Sequence, residues 1–278
     1  INSTIWYASS VVVYGVNNKS LKENFELNPV SYYAFVKLIC ENACKFYSRN
    51  FKLKVHSILL AGGSSDRFNN EENKVYFPIG GKPALSWPLE TLDNSDKVDS
   101  IILVVRDEDW EKTNNVIQLV NPKKLSGVTI GGNTRHESEY QGLLYLKERP
   151  DINEEDLILI HDGARPLLPS YLLDELIDVA KKYGASAPGY NSDNLMKKQE
   201  FNKEEIQETI VEIQTPQIFP ASELWKSYEL AKLDKWQAVD TTECVSKYSE
   251  LEAVVIPGDP RNMKVTFIED IFKLEEMI

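Results

Sequence analysis

Short apolar runs ending in small or charged residues, with helical patterns between them, set the strongest limit on how this chain folds. Val55–Leu60 runs into Ala61-Gly62-Gly63, and Ser100–Val105 and residues 156–160 are bounded by turn residues. Residues 128–130 form a shorter run of the same kind. Between them, residues 85–92, 138–147 and 170–182 carry apolar side chains at helical spacing. Strands that are apolar on both faces and alternate with amphipathic helices predict an α/β fold. The expected architecture is a Rossmann-like, mainly parallel sheet with helices on both faces. Ligands in such sheets bind beyond the carboxyl ends of the strands, so the loops there are where chemistry is expected.

Composition narrows the ligand. Among 278 residues, 31 Lys and Arg stand against 43 Asp and Glu, a net charge of −12. That acidity excludes a general nucleic-acid binder, which needs a basic footprint. Apolar runs fall far short of the roughly 20 residues of a membrane span. Three cysteines make no disulfide framework; Cys40 and Cys44, four apart, read as small buried residues. No signal peptide is legible, and a cytoplasmic location is expected. The chain opens at Ile1 inside a strand-like run, so it is expected to be part of a longer one.

Within this acidic chain, cations gather after the strands. Ala61-Gly62-Gly63 is followed by Arg67 and, seven residues on, Lys74. Small residues there let backbone N–H groups approach a phosphate closely. Taken alone, the loop is equally a Gly-rich turn with two solvated cations, and it matches neither the P-loop nor the dinucleotide fingerprint. Three further segments shift the balance. Gly131-Gly-Asn-Thr-Arg135-His-Glu-Ser138 opens a helix, His161-Asp-Gly-Ala-Arg165-Pro166 follows a strand, and Asn262-Met-Lys264-Val-Thr266 follows another. Arg67, Lys74, Arg135, Arg165 and Lys264 together suit a polyphosphate. Asp162 is the natural Mg²⁺ ligand, because Mg²⁺ takes one or two carboxylates plus phosphate oxygens. His161 is expected to be a hydrogen-bonding support and not a general base.

On these blocks the chain from residue 55 to 278 resembles the 2-C-methyl-D-erythritol 4-phosphate cytidylyltransferase family, whose fold is shared by ribitol-phosphate cytidylyltransferases. Ala61-Gly-Gly-x-x-x-Arg67 with Lys74, Gly132-x-x-Arg135-x-x-Ser138, His161-Asp-Gly-Ala-Arg-Pro166, Gln214-Thr-Pro-Gln217 and Asn262-Met-Lys-Val-Thr266 occur in the family's order. The resemblance implies a nucleotidyltransferase-type fold with an arm at about residues 187–213 that reaches a partner subunit, hence a homodimer. It implies that CTP and a polyol phosphate react to give a CDP-polyol and pyrophosphate. Arg67, Lys74 and Lys264 would be catalytic. Ala61, Gly62, Gly63, Arg135, Ser138, Asp162, Gly163 and Ala164 would hold the nucleotide, with Asp162 also on Mg²⁺. Arg165, Asn194 and Thr266 would face the acceptor. Two departures lie on the acceptor side. Asp193-Asn194 stands where the family has Asp-Thr, and Glu208-Thr-Ile-Val-Glu-Ile213 carries no Arg before Gln214. Ribitol 5-phosphate therefore stays open as an alternative acceptor, as does a binding module whose acceptor site has decayed.

Residues 1–54 resemble a different family, the extended short-chain dehydrogenases of the nucleotide-sugar epimerase kind. The likeness rests on Tyr7-Ala-Ser-Ser10, Gly15 and Pro29-Val-Ser-Tyr-Tyr33-Ala-Phe-Val-Lys37. It implies Tyr33 as proton donor, assisted by Lys37 one helical turn on and by Ser10. The dinucleotide loop of that family is absent, so a strand–helix fragment without a competent NAD site is expected. Active NAD-dependent chemistry there is the minor alternative.

Overall fold

A computed structural model describes residues 31–40, 53–63, 68, 73–190 and 212–278. The strand-like run at 4–14, most of the helical stretch at 29–50, Arg67 and Asn194 lie outside the described residues. The chain divides into two compact units, Ile1–Leu53 and Lys54–Ile278. In the first, α1 (residues 32–40) starts after Ser31, whose Oγ accepts from Ala34 N at 3.1 Å, an N-capping bond. Lys37 Nζ lies 5.7 Å from the Tyr33 ring centroid.

The second unit runs β1 (Val55–Leu60), β2 (Pro78–Ile79), β3 (Lys82–Pro83), α2 (Ser86–Asn94), β4 (Ser100–Val105), α3 (Trp110–Val120), β5 (Leu125–Ile130) and α4 (Arg135–Lys147). It continues with β6 (Leu157–Asp162), α5 (Ser170–Tyr183), β7 (Ser186–Tyr190), β8 (Glu212–Ile213), β9 (Gln217–Pro220), α6 (Ala221–Leu233), α7 (Thr241–Tyr248), β10 (Val254–Pro257) and α8 (Glu269–Glu275). The main sheet has the order β10-β7-β9-β6-β1-β4-β5, with β8 on β7. β1 pairs in parallel with both β4 and β6. β9 enters antiparallel between β6 and β7, and β8 is antiparallel to β7. The sheet is thus mixed, with a parallel centre.

Alternation along the strands divides the core. Leu59, Leu103 and Leu159 pack with Leu89, Leu92, Leu173 and Leu176 on the face covered by α2, α3 and α5. Ile58, Ile102 and Ile160 pack with Leu143, Leu146 and Leu224 on the face covered by α4, α6 and α7. All six residues in each of β1, β4 and β6 are buried, which explains why these strands are apolar on both faces along most of their length. Some boundaries differ from the sequence reading. β6 extends to Asp162 because its pairing with β1 runs through Leu60↔Asp162. α4 starts at Arg135, three residues early, because the Thr134 side chain accepts from Glu137 N. With β4 on one side of β1 and β6 on the other, chain order reverses at β1, which puts the ligand crevice beyond its carboxyl end.

Candidate active site

Four chain segments meet at that end. The loop after β1 begins with Ala61, whose N donates to Val104 O at 2.7 Å. Its carbonyl accepts from Asn73 Nδ2 at 2.9 Å, and the same amide reaches Asp109 Oδ2 at 2.8 Å. Asn73 thereby ties the loop to the short helical turn Lys74–Tyr76. Gly63 is exposed, and a Cβ there would have nothing within 4 Å. A Cβ on Gly62 would lie 3.5 Å from Ser138 Oγ, so this loop adjoins the start of α4.

The segment after β5 is closed by Ser138. Its Oγ donates to Gly132 O at 3.3 Å and accepts from Gly132 N at 3.2 Å. Position 132 must be glycine, because a Cβ would stand 2.3 Å from Glu137 Cβ. The turn presents Arg135 to β6. Arg135 Nε meets Asp162 Oδ1 at 3.1 Å, and Lys264 Nζ meets Asp162 Oδ2 at 2.7 Å. Burial alone would push the Asp162 carboxyl up; Arg135, Lys264 and Arg165 outweigh it and hold it well below the usual carboxylate range. Asp162 is therefore ionised at neutral pH.

Behind Asp162 the support is neutral. His161 is fully buried; its Nε2 faces Arg165 O at 3.2 Å and its Nδ1 faces Thr215 Oγ1 at 3.0 Å. A carbonyl only accepts, so Nε2 carries the proton. Nδ1 then accepts from Thr215, whose oxygen accepts in turn from Asp162 N at 3.0 Å. Burial pushes the His161 pKa down to about 4. Gly163 must be glycine as well: a Cβ would sit 2.8 Å from Leu60 O. Ala164 O accepts from Val265 N at 2.8 Å, joining the segment of Lys264 and Thr266 to this loop. Thr266 Oγ1 donates to Lys264 O at 3.3 Å.

Arg165 is only 5% exposed and donates from Nη1 to Asn262 O at 2.8 Å. Its Nε, and Nη1 and Nη2 of Arg135, have no hydrogen-bond partner among the described residues. Three cationic side chains therefore surround one carboxylate, and Arg135 Nη1 also forms an ion pair with the buried Glu139 at 2.6 Å.

The sequence reading did not single out Asn73 and Asp109, Thr215 as the link to His161, or the buried Glu139 with its partners Tyr228 and Thr241. Glu139 had a signal: it lies on the helical stripe of Gly142, Leu143 and Leu146, a charge among buried positions.

The family model described as IspD, 2-C-methyl-D-erythritol 4-phosphate cytidylyltransferase, matches residues 55–278. The chain belongs to this family. The 2-C-methyl-D-erythritol 4-phosphate cytidylyltransferase of Clostridium tetani is 31% identical over 226 residues, covering 80% of this chain and 89% of that protein. That of Clostridium beijerinckii is 30% identical over 228 residues, covering 81% and 98%. The crystal structure of 4-diphosphocytidyl-2C-methyl-D-erythritol synthase from Anaerococcus prevotii shares the fold. Its TM-score is 0.64 at 24% identity, over 81% of this chain and 96% of that one. The IspD domain is thus an α/β nucleotidyltransferase, and its family match begins where the β1 strand does.

Proposed function

We propose that this IspD-family chain transfers a cytidylyl group from CTP to the phosphate of 2-C-methyl-D-erythritol 4-phosphate. An oxygen of the acceptor phosphate attacks the α-phosphorus in line. The P–O bond to the β-phosphate breaks, the electron pair leaves with pyrophosphate, and a CDP-polyol forms. The observation that carries this reading is the cluster of Arg135, Asp162 and Lys264 at the crevice beyond β1.

Phosphoryl transfer depends on positioning and charge stabilisation more than on covalent chemistry. In this reading Lys264 aligns the acceptor phosphate, with Thr266 on the same segment and Arg165 adding its charge. Arg135 and Ser138, with the backbone of Ala61, Gly62, Gly63, Gly163 and Ala164, hold the nucleotide in this reading. Lys74 stabilises charge developing on the α-phosphate and leaving group. Arg67 and Asn194 are given their parts, on the phosphates and on the acceptor, from the sequence alone. No base is required, because the acceptor phosphate is already anionic.

The donor set fits Mg²⁺. Asp162 supplies one ionised hard oxygen, and among the described residues no three His, Cys, Asp or Glu side chains cluster into a protein-only cage. Mg²⁺ bound with a nucleotide takes one or two carboxylates and completes its shell with phosphate oxygens and water. When bound, the ion would offset phosphate charge; Asp162 would hold it. The reading also takes the enzyme to be a homodimer through the arm at about residues 187–213, working in the cytoplasm. Among the described residues, no helix is long and apolar enough to cross a membrane.

The test is pyrophosphate release with CTP and Mg²⁺, run in parallel on 2-C-methyl-D-erythritol 4-phosphate and ribitol 5-phosphate. Release with the first is expected. Release with ribitol 5-phosphate alone would reassign the acceptor, in line with the missing arm Arg. Release with neither, and no binding of CTP, would overturn the reading.

A further inference from the structure

One buried charge has no part in the chemistry above. Glu139 is 0% exposed on α4. Its Oε2 accepts from Tyr228 OH at 2.7 Å, and its Oε1 accepts from Thr241 Oγ1 at 2.6 Å. Arg135 Nη1 stands 2.6 Å from the same Oε1. Three helices, α4, α6 and α7, thus converge on one carboxylate. Burial pushes the Glu139 carboxyl up, and the Arg135 charge with the Thr241 and Tyr228 hydroxyls pulls against it; all three contacting groups can donate to a carboxylate.

Helix energetics do not account for the pair. Arg135 sits in the first turn of α4, where the macrodipole disfavours a cation. Arg ahead of Glu at this spacing is also the weaker order. Burying both charges carries a desolvation cost that apolar residues of the same volume avoid. What the pair does accomplish is visible at Arg135. The guanidinium bridges two carboxylates, Asp162 through Nε and Glu139 through Nη1. The contact to Glu139 is an ion pair and not an aligned hydrogen bond, since both Nη atoms lack a hydrogen-bond partner among the described residues. With Asp162 as its sole counter-charge, Arg135 would follow that carboxylate whenever a ligand draws on it. With Glu139, Arg135 has a second tether that lies outside the crevice and is itself held by two hydroxyls.

We propose that Glu139 is a positioning residue: its ion pair with Arg135 Nη1 fixes the guanidinium against Asp162 at the crevice and so sets the orientation in which this side chain meets the nucleotide. This rests on the reading of Arg135 as a nucleotide-binding residue.

The experiment is calorimetric titration of the intact chain with CTP, joined to steady-state kinetics. Glu139→Gln keeps shape and an acceptor but removes the charge. Its CTP Kd and KM are expected to rise about tenfold or more, as for loss of a charge-assisted contact, with kcat and the acceptor KM changed by less than about threefold. Asp156→Asn, at the opposite end of the sheet, is the control for destabilisation and leaves CTP affinity unchanged. If Glu139→Gln lowers the melting temperature but binds CTP as wild type does, or if both variants lose affinity in parallel, the proposal is overturned. Should the Gln variant not fold, Glu139→Asp withdraws the charge by one methylene and is expected to weaken CTP binding to a lesser degree; normal binding by it overturns the proposal. A readout without CTP is exchange of the Arg135 Nε proton by nitrogen-15 NMR. Protection in wild type that is lost in Glu139→Gln supports the anchor, and unchanged protection overturns it. A wild type that fails to bind CTP while showing that loss would sink the CTP reading and leave the anchor standing.

Discussion

The two ends of the central sheet carry the same kinds of buried residue to different effect. At the amino end, His56 Nδ1 meets Ser100 Oγ at 2.7 Å and its Nε2 lies 3.5 Å from Asp156 Oδ2. Asp156 also accepts from Lys54 N and Asn153 N, at 3.0 and 2.8 Å, and Asp99 accepts from Val55 N at 2.8 Å. Burial raises the Asp156 pKa, but the His56 bond and the two backbone bonds outweigh it and hold it low. At the carboxyl end Asp162, next in sequence to the buried His161, is met by three cations. Serine, histidine and aspartate in contact thus identify nothing by themselves. At the amino end the carboxylates mainly bind strand-end N–H groups, and the cluster splices strands together. At the carboxyl end positive charge exceeds negative around Asp162, and guanidinium donors go unmatched. The excess of positive charge is what separates the two ends; unmatched donors do not, since His56 Nε2 at the amino end also lacks a hydrogen-bond partner among the described residues.

The contrast is broken most decisively by rate. Lys264→Ala, Lys74→Ala and Arg67→Ala are each expected to lower kcat/KM by about 10²–10³, the usual effect of removing one preorganised donor. Their urea midpoints should stay close to wild type. Asp156→Asn should do the reverse, costing about 1–3 kcal/mol of stability as one carboxylate oxygen becomes an NH₂ that cannot accept from Asn153 N, with kcat/KM within about twofold. A rate loss in Asp156→Asn comparable to that in Lys264→Ala would erase the distinction between the two ends.

The next largest effect is on pH. His161 has a folded pKa depressed to about 4, while the unfolded chain titrates near its ordinary value of about 6.5. The unfolded state therefore takes the proton first, and stability is lost as pH falls from about 6.5 toward about 4. The loss attributable to His161 over that window is about 3 kcal/mol. Urea melts across the window should show a shallower decline for His161→Asn than for wild type; parallel declines would remove His161 as the cause.

A smaller effect tests the backbone beside Asp162. Gly163→Ala places a methyl 2.8 Å from Leu60 O and 2.9 Å from Leu85 Cδ1. A destabilisation of about 1–3 kcal/mol is expected from such overpacking, accompanied by weaker CTP binding because Asp162 moves with its neighbour. Stability lost with CTP affinity intact would show that Asp162 is positioned independently of this turn.

The amino-acid sequence by itself determined the parallel centre of the sheet, since β1 and β4 coincide with apolar runs too short for a buried helix. It also determined the crevice loops, because small residues and cations directly after a strand are a local pattern. Tertiary structure alone decided the rest. β9 is a four-residue strand that enters antiparallel and brings Thr215, 54 positions away, to His161. Arg165 reads in sequence as a cation free to face a ligand, yet the fold sets it under Asn262, 97 positions on. Glu139 acquires meaning only where α6 and α7 deliver Tyr228 and Thr241 to it. Strand runs and loop motifs are settled by neighbours along the chain. Charge compensation is settled by neighbours in space, and Coulomb attraction and hydrogen bonding fall off with distance in Å and not with separation in sequence.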